Sequence, residues 1–221
     1  MTSTVYFADI APLSDAELFE KGYALMSSQR KDRIDRYFFK EDKQLSLGVG
    51  LLLRQACLDL GYSRVPDILY EKKPVFKDEK DLHFNLSHSG TKVLCVISDV
   101  PCGCDIEGHK KDCLEIAHRF FFEGEYDEIM SKETEEEKQK CFYRMWTLKE
   151  SFMKATGLGF SLPLNKFSIH IGKEITVKQN VSKKDYSFFT YEIDSEYSCA
   201  CCLEKKTDVA PDLKEVHFET L

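Results

Sequence analysis

A glutamate and a lysine four residues apart are the first residues of this sequence whose types and spacing could do chemistry. Glu150 and Lys154 follow Trp146, the only tryptophan, again at a spacing of four. The surrounding apolar residues recur at helical spacings, which predicts a helix that ends at Gly157 and Gly159 and carries the three side chains on one face. Such an acid–base pair usually stabilises a helix surface by only a few tenths of a kcal/mol. The pattern alone therefore leaves a surface ion pair and a catalytic pair open.

A second group of acids lies on a predicted strand. The two-residue period of the segment from Cys102 to Glu107 places Asp105 and Glu107 on the same face. Two carboxylates about 4 Å apart near a protein surface repel each other by ~4 kcal/mol, so a proton, a basic partner or a cation must lie between them. Mg²⁺ takes oxygen ligands and often only a few from the protein. Asp105, Glu107 and Glu150 are therefore candidate metal ligands.

Basic residues that could bind an anion occur in several separate stretches. The candidates are Arg30, Arg33, Lys73, His88, Lys149 and Lys154. Carboxylates for a metal and cations for phosphate are the groups that phosphoryl transfer requires. For the basic segment from Arg30 to Tyr37, a solvated helix face is the competing interpretation. Periodicity and spacing do not identify a substrate.

Composition and charge limit the class of protein. The 221 residues, 43% of them apolar, suffice for one large domain or two small ones. The net charge of −7 argues against nonspecific binding to nucleic acid. The sequence has no apolar run of about 18 residues, and its start predicts a strand rather than a signal peptide, so we expect no membrane partner. Nine scattered cysteines favour free thiols in the cytoplasm over a disulfide framework or a zinc site.

Helices and strands alternate in an order that predicts an α+β fold. Helices are predicted over residues 14–28 and 41–60, over 114–130 with a break at Gly124, and over the segment that carries Glu150. Strands are predicted over 4–10, 67–76 in part, 82–86, 92–98, 102–107, 166–171, 174–179, 186–193, 197–203 and 215–218. We expect a pseudo-two-fold duplication of two similar halves, each a long helix packed on a small antiparallel sheet. The expected boundaries are 1–101 and 102–221, with the active site between the halves.

Three ordered motifs resemble those of the 4′-phosphopantetheinyl transferases. They are Phe84–Gly90 (FNLSHSG), Gly103–Glu107 (GCDIE) and Trp146–Lys154 (WTLKESFMK). The chain length and the flanking segments are similar to the type that activates surfactin synthetase. The resemblance extends over nearly the whole chain. It implies an enzyme that moves the phosphopantetheine arm of coenzyme A (CoA) onto a serine of an apo acyl or peptidyl carrier protein and releases adenosine 3′,5′-bisphosphate.

The resemblance also implies roles for individual residues. Asp105, Glu107 and Glu150 match the Mg²⁺ ligands, and Glu150, directly or through a water, is the candidate base for the serine hydroxyl. Lys154 matches the lysine that contacts the phosphate. Further residues match positions that bind CoA: Arg30, Arg33, Ser87 and His88 on the side of the 3′-phosphate, and Lys73 and Pro74 against the adenine. Leu45 departs from the family, because many relatives have an arginine there for the 3′-phosphate.

The carrier protein is expected to dock through exposed aromatic residues near the metal. The candidates are Phe120, Phe121, Phe122 and Tyr126, with His109, Lys110 and Lys111 close by, and two of the three phenylalanines are expected in the core. We expect a monomer. Two alternatives stay open: a carrier-binding module that has lost turnover, and another Mg²⁺-dependent phosphoesterase. The carrier itself stays open between polyketide, nonribosomal peptide and fatty acid synthesis.

Overall fold

The computed structural model describes residues 3–110 and 113–220, and it divides the chain into two units. The first unit contains Met1–Asp99 and Pro211–Leu221, and the second contains Val100–Ala210. Both units combine helices with small sheets, and all strand pairs of the described residues are antiparallel except one. The predicted α+β class is thereby confirmed. None of the helices in these ranges is long and apolar enough to cross a membrane.

The first unit is built on a long helix. Its elements in chain order are β1 (Thr4–Asp9), α1 (Ala16–Ala24), α2 (Ser28–Asp35), α3 (Lys40–Asp59), β2 (Ile68–Tyr70), β3 (Pro74–Phe76), β4 (His83–Ser89) and β5 (Lys92–Ser98). Helix α3 packs against β1 and β5, and its residues Leu47, Leu52 and Ala56 are fully buried in the core of this unit. Burial of each leucine contributes about 1.5–3 kcal/mol, so α3 holds the sheet of the first unit in place.

The helix predicted over residues 14–28 is present as α1, but it ends at Ala24, and a second helix, α2, starts at Ser28. The Asp15 side chain accepts a hydrogen bond from the backbone N–H of Leu18 and begins α1. The Ser27 side chain accepts one from the backbone N–H of Arg30 and begins α2. A cap fixes its residue in an extended backbone conformation, so the chain turns between the two helices. Arg30 and Arg33 consequently lie on a helix of their own.

The second unit is also built on a long helix. Its elements are β6 (Cys102–Gly108), α4 (Leu114–Phe120), α5 (Glu123–Met130), α6 (Glu135–Thr156), β7 (Ser168–Ile171), β8 (Ile175–Lys178), β9 (Ser187–Tyr191) and β10 (Tyr197–Leu203). Strands pair in the order β6-β10-β9, and α6 packs against β6 and β10. The helical segment 114–130 is interrupted as predicted, but just before Glu123 rather than at Gly124, because the Glu125 carboxylate accepts a hydrogen bond from the Phe122 N–H and starts α5.

Helix α6 carries the motif from Trp146 to Lys154 and has well-defined ends. At its start, Thr134 and Glu137 form a capping box, in which each side chain bonds to the backbone N–H of the other residue. At its end, Gly157 adopts a left-handed conformation with φ of 71°. These two signals fix the residues at which the helix begins and ends.

The end of the chain belongs to the first unit. Strand β11 (Asp212–Glu215) pairs in parallel with β1, which gives the sheet order β11-β1-β5-β4. The expected boundaries 1–101 and 102–221 are therefore wrong for residues 211–221, and the expected strand over 215–218 lies earlier in the sequence. The pairing is reinforced by Lys214, which contacts Asp59 at the end of α3 at 2.8 Å.

The five cysteines of β6 and β10 are buried strand residues, as predicted. Cys104 lies directly opposite Cys201 in the antiparallel pair, and all nine cysteines of the chain are free thiols. Burial raises the pKa of Cys199 to about 12. The thiols of this sheet are therefore protonated at neutral pH and pack as small apolar groups.

Gly103 allows β6 and α6 to approach each other closely. A Cβ atom at this position would overlap the carbonyl oxygen of Ser151 and lie 2.5 Å from the backbone nitrogen of Ala155. Backbone atoms in the middle of a helix cannot move aside as a flexible side chain can. The absence of a side chain at Gly103 is therefore a condition for the observed packing of α6.

We expect Gly103→Ala to destabilise the protein by at least about 3 kcal/mol, because the helix must shift away from the strand. The matched control is Gly124→Ala on α5, where an added Cβ meets no atom within 4 Å. That variant should be as stable as the wild type or gain about 0.5–1 kcal/mol from its higher helix propensity. Urea unfolding followed by circular dichroism measures both, and equal stability of Gly103→Ala and wild type would contradict the packing argument.

Candidate active site

The close packing of α6 on β6 places a lysine against an aspartate. Lys154 Nζ lies 2.6 Å from Asp105 Oδ1 and 3.1 Å from the carbonyl oxygen of Cys104, to which it donates a second hydrogen bond. Asp105 is buried. Burial alone would lower the pKa of Lys154, but the charges of Asp105 and Glu150 raise it above its ordinary value. Lys154 is therefore a fixed cation at this point of the helix.

Glu150 lies one turn before Lys154 on α6 and faces the acids of β6. Burial and, to a smaller extent, the negative charges of Asp105 and Glu107 together raise the pKa of Glu150 to about 7, while Lys154 opposes them. Asp105 and Glu107 are opposite Ala200 and Ser198 of β10, which confirms that they share one face of the strand. The structure thus brings the three predicted carboxylates into one electrostatic environment.

The chemistry of this acidic group fits a hard cation, although the cation's coordination shell is not preformed. The charges of Asp105 and Glu107 help to raise the pKa of Glu150. A divalent cation prefers oxygen ligands and would stabilise the charged form of all three carboxylates. Within residues 3–110 and 113–220, however, no three acidic, histidine or cysteine side chains are already grouped closely enough to hold a metal. Asp105 instead accepts its short hydrogen bond from Lys154. A metal would therefore bind with a small rearrangement of Lys154 or of the carboxylates.

Lys149 is not an anion-binding residue, so this expectation is wrong. Its side chain is fully buried and donates hydrogen bonds to Glu125 at 2.7 Å and to the carbonyl oxygen of Phe167 at 2.9 Å. Burial lowers the pKa of Lys149 to about 8, while Glu125 acts in the opposite direction. Glu125 also accepts a hydrogen bond from the backbone N–H of Ile169. The network ties α5, α6 and β7 together and has no room for a ligand.

Glu125 is the buried partner of Lys149, and the sequence alone does not identify it. It lies in an acidic stretch that resembles a solvated helix face, and only the structure shows that it is 4% exposed. A signal was available in the isolated Lys149 of the motif, because a lysine on the apolar side of a helix needs a buried partner. The sequence does not say which of the many acids supplies it.

The two arginines of α2 lie in different surroundings. Arg30 is 8% exposed and lines a cavity of the first unit. The Arg33 guanidinium lies over the ring of Tyr70 at 4.4 Å. Leu45, where an arginine was expected from the resemblance, packs against the hydrophobic core, and the neighbouring Gln44 is buried and donates to the carbonyl oxygen of Leu13. Gln44 therefore does not replace the missing arginine.

The remaining predicted CoA residues of the first unit lie on strands and their turns. Lys73 and Pro74 are at the turn of the β2–β3 hairpin, where Pro74 pairs with Tyr70. Ser87 and His88 are adjacent on β4, opposite Leu94 and Val93 of β5. The alternation of the strand buries Ser87 and exposes His88. Of the two, His88 is the side chain that a soluble ligand can reach.

The aromatic candidates for carrier binding divide into core and surface residues. Phe120 is 44% exposed and Phe122 is 42% exposed, whereas Phe121 is buried and stacks on Phe142. The expectation that two of the three phenylalanines are in the core is therefore wrong. Tyr126 is partly buried with its ring edge-on to His118. Trp146 packs against Phe121 and Phe142, as predicted, and Lys111 lies outside the described residues.

Comparison with known proteins identifies the family. A model of the 4′-phosphopantetheinyl transferase superfamily matches residues 101–202, the part of the chain that contains the acidic group. The 4′-phosphopantetheinyl transferase Sfp of Bacillus subtilis is 35% identical over 216 residues, which cover 95% of each chain. The 4′-phosphopantetheinyl transferase gsp of Aneurinibacillus migulanus is 34% identical over 192 residues, or 85% of this chain and 80% of the relative.

Several solved structures are similar over about half of the chain. The holo-(acyl-carrier-protein) synthase from Bacillus anthracis has a TM-score of 0.42 and 16% identity, and the superposition covers 48% of this chain and 97% of that one. On the sequence relationships over nearly its full length, the chain belongs to the 4′-phosphopantetheinyl transferase family. The resemblance drawn from the three motifs is therefore confirmed, and the protein is a phosphopantetheinyl transferase.

The electrostatic environment of Glu150 predicts a pH-dependent stability. Its pKa in the folded state, about 7, lies above the ordinary value of 4.5 that applies after unfolding. Between these pH values the unfolded state has lost a proton that the folded state keeps, so the contribution of Glu150 to stability falls as the pH rises from about 4.5 to 7. Glu150→Gln should therefore be more stable than the wild type at pH 8, by on the order of 2 kcal/mol, and equally stable at pH 4.5.

Urea unfolding in the presence of EDTA at the two pH values tests this expectation. The same substitution at the exposed Glu174 is the control and should leave the free energy of unfolding unchanged at both. A gain for Glu150→Gln that is the same at pH 4.5 and pH 8 would show that the charge of Glu150 is not its cause.

Proposed function

We propose that this phosphopantetheinyl transferase moves the phosphopantetheine arm of CoA onto a serine of an apo acyl or peptidyl carrier protein. The observation that supports this proposal is the acidic group of Asp105, Glu107 and Glu150 beside the cation of Lys154. This group lies within the part of the chain that matches the family. Carboxylates for a divalent cation and a fixed ammonium group for phosphate oxygens suit the transfer of a phosphoryl-linked group.

The proposed step forms one bond and breaks one bond at phosphorus. The serine hydroxyl oxygen attacks the phosphate that carries the pantetheine arm, and the bond to the bridging pyrophosphate oxygen breaks. Adenosine 3′,5′-bisphosphate leaves. Glu150, directly or through a water, takes the serine proton. Lys154 donates a hydrogen bond to the phosphate on which negative charge develops.

A divalent cation, which we propose is Mg²⁺, would be held by Asp105, Glu107 and Glu150 and would neutralise charge on the pyrophosphate. Cation binding lowers the pKa of a ligating carboxylate, so metal affinity should rise with pH through the range in which Glu150 titrates. Lys154 is attached to Asp105 before substrate binds. Its transfer from Asp105 to the phosphate would couple substrate binding to release of an Asp105 oxygen for the metal.

Residues of the first unit are proposed to bind the nucleotide part of CoA. His88 is exposed on β4 and offers a ring N–H to the 3′-phosphate. Ser87, on the buried side of the same strand, helps to hold the backbone of His88 in position. Arg30 and Arg33 add positive charge on α2, and Lys73 and Pro74 contribute the turn against the adenine. Leu45 lacks a polar group, so His88 and the arginines carry more of the recognition than in relatives with an arginine at that position.

The surface that contains Phe120 and Phe122 is proposed to bind the carrier protein. Ile116 is 38% exposed on the same helix as Phe120, and Arg119 lies over the Phe120 ring at 5.3 Å. Exposed apolar residues together with an arginine suit a partner with an acidic surface around its serine. We further propose a monomer in the cytoplasm, which is supported by the nine free thiols and by a single chain that carries all three motifs.

Intact-mass spectrometry of an apo carrier protein tests the reaction. Incubation with this protein, CoA and Mg²⁺ should add one phosphopantetheine group to the carrier, and EDTA should prevent the addition. Asp105→Asn should reduce the rate by roughly a hundredfold or more, because it removes a charge that binds the cation. Asp208→Asn, at an exposed position in the same unit, is the matched control and should react as fast as the wild type.

Two other outcomes separate the alternative functions. Tight CoA binding without modification of any of several carriers would favour a binding module. Cleavage of CoA without a carrier would favour a phosphoesterase. Full activity of a correctly folded Asp105→Asn protein would overturn the assignment of the metal ligands.

His88→Ala should raise the KM for CoA and leave kcat nearly unchanged, because the 3′-phosphate is bound equally in the ground state and the transition state. The loss of one charge-assisted hydrogen bond corresponds to a rise of roughly tenfold to a hundredfold. Steady-state kinetics with CoA and with dephospho-CoA, which lacks the 3′-phosphate, measure this. The substitution should not raise the KM for dephospho-CoA. An equal rise for both substrates would show that His88 does not contact this phosphate.

A further inference from the structure

A buried ion pair in the second unit lies beneath the segment that carries the two exposed phenylalanines. Glu125 is 4% exposed and Lys149 is fully buried, and their charged atoms lie 2.7 Å apart. An ion pair at this depth is weak evidence for stability, because two apolar side chains of similar volume would often stabilise the fold as much or more. The role of the pair is therefore to be sought in what its two charged groups orient.

The Glu125 carboxylate joins three elements through its two oxygens. Oε1 accepts hydrogen bonds from Lys149 Nζ on α6 and from the backbone N–H of Ile169 on β7, both at 2.7 Å. Oε2 accepts one at 3.0 Å from the backbone N–H of Phe122, the residue that precedes α5. A hydrogen bond depends on direction as well as distance, so the carboxylate fixes the backbone of Phe122 relative to both α6 and β7.

The ammonium group of the same pair contacts the preceding residue, Phe121. Lys149 Nζ lies over the Phe121 ring at 5.3 Å from its centroid, and this ring also stacks on Phe142 and Trp146. The backbone of Phe121 is extended, with φ of −88° and ψ of 168°. Successive side chains of an extended segment point to opposite sides, so the burial of Phe121 turns Phe122 outward, where 42% of it is exposed.

The segment of three phenylalanines needs such a device, because its side chains are identical. Hydrophobicity alone does not decide which of Phe120, Phe121 and Phe122 is buried, and a shift by one residue would exchange the buried and the exposed rings. The ion pair distinguishes them, since the ammonium group lies over one ring and the carboxylate binds the N–H of the next residue. The exposed pair of rings is therefore set from the core beneath it.

We propose that Glu125 and Lys149 are positioning residues for carrier binding, an inference that rests on the proposed function. The pair sets which side of the segment 120–122 faces solvent and holds Phe122 in the orientation in which the carrier protein contacts it. Both charged groups are buried, so they act on the carrier only through Phe122 and its neighbours. The chemistry at the acidic group does not depend on this segment, so we expect the pair to affect carrier binding rather than CoA binding or turnover.

Glu125→Gln tests this role, because glutamine offers one acceptor oxygen where glutamate offers two. In the observed geometry, the amide can accept from Lys149 or from the Phe122 N–H, but not from both. We expect the KM for the apo carrier protein to rise about tenfold, with kcat and the KM for CoA within about twofold of wild type. Glu128→Gln, a partly buried glutamate of the same helix, is the matched control and should leave all three constants unchanged.

A purely structural role of Glu125 predicts a different kinetic result. A larger unfolded fraction would lower kcat per mole of protein and leave the KM for the carrier unchanged, and this outcome would overturn the proposal. If circular dichroism shows that Glu125→Gln does not fold, Glu125→Asp takes its place in every measurement. Aspartate keeps the negative charge beside Lys149 but is one methylene too short to reach both Lys149 and the Phe122 N–H.

A double-mutant cycle shows whether Glu125 acts through Phe122. Phe122→Ala alone should raise the KM for the carrier, and adding Glu125→Gln to that variant should raise it by no more than about twofold further, because the positioned ring is already absent. Full additivity of the two substitutions would show that Glu125 does not act through this ring and would overturn the proposal.

The wild-type protein separates this inference from the proposed function. Carrier modification by the wild type, with the same carrier KM in Glu125→Gln, would refute only the inference. Binding of the carrier without modification would refute the proposed transfer, and the dissociation constant of the carrier, from isothermal titration, then replaces its KM. A rise of about tenfold in that constant for Glu125→Gln would keep the inference, and equal constants would refute it.

Discussion

The contact between α6 and β6 at Gly103 is the constraint on which the acidic site depends. Because the glycine has no side chain, the helix backbone at Ser151 and Ala155 can lie directly against the strand. Only at this separation can Lys154 reach Asp105 at 2.6 Å and the carbonyl oxygen of Cys104 at 3.1 Å. The same approach brings Glu150 into the field of Asp105 and Glu107. The high pKa of Glu150 thus follows from a packing distance that a single missing methyl group permits.

Two lysines of one helix show how packing separates structural from chemical roles. Lys149 and Lys154 are five residues apart and therefore lie on different faces of α6. Lys149 is enclosed with Glu125 in a hydrogen-bonded network that includes the carbonyl oxygen of Phe167 and the N–H of Ile169. Removal of one member of such a buried pair is strongly destabilising, because the other charge is left without a partner. Lys154 lies at the boundary of the core, where a substrate oxygen can compete with Asp105 for its protons. Lys149 joins the helix to its neighbours, whereas Lys154 is the lysine that we propose contacts the substrate.

The sequence predicted those features that depend on local periodicity. The two-residue period of β6 and the four-residue spacing on α6 are enough to single out four candidate site residues, which are Asp105, Glu107, Glu150 and Lys154. The same reasoning failed where a distant partner decides the outcome. Nothing local marks residues 212–215 as the partner of β1, and nothing local marks Glu125 as the partner of Lys149. The end of α1 at Ala24 was also missed, because the helical pattern continues to Ser27, whose side chain caps the next helix.

The buried lysines and arginines of the two units lie in two different kinds of environment, which the composition does not reveal. In the second unit, Lys149 and Lys154 each meet a carboxylate, so their charges are compensated within the protein. In the first unit, Arg30 is buried near another arginine and forms no ion pair within the part of the chain that the structure describes. A protein tolerates such a charge where an anion that comes from outside completes it. The lysines of the second unit are thus compensated within the protein, whereas Arg30 is the buried cation that we propose binds the nucleotide part of CoA.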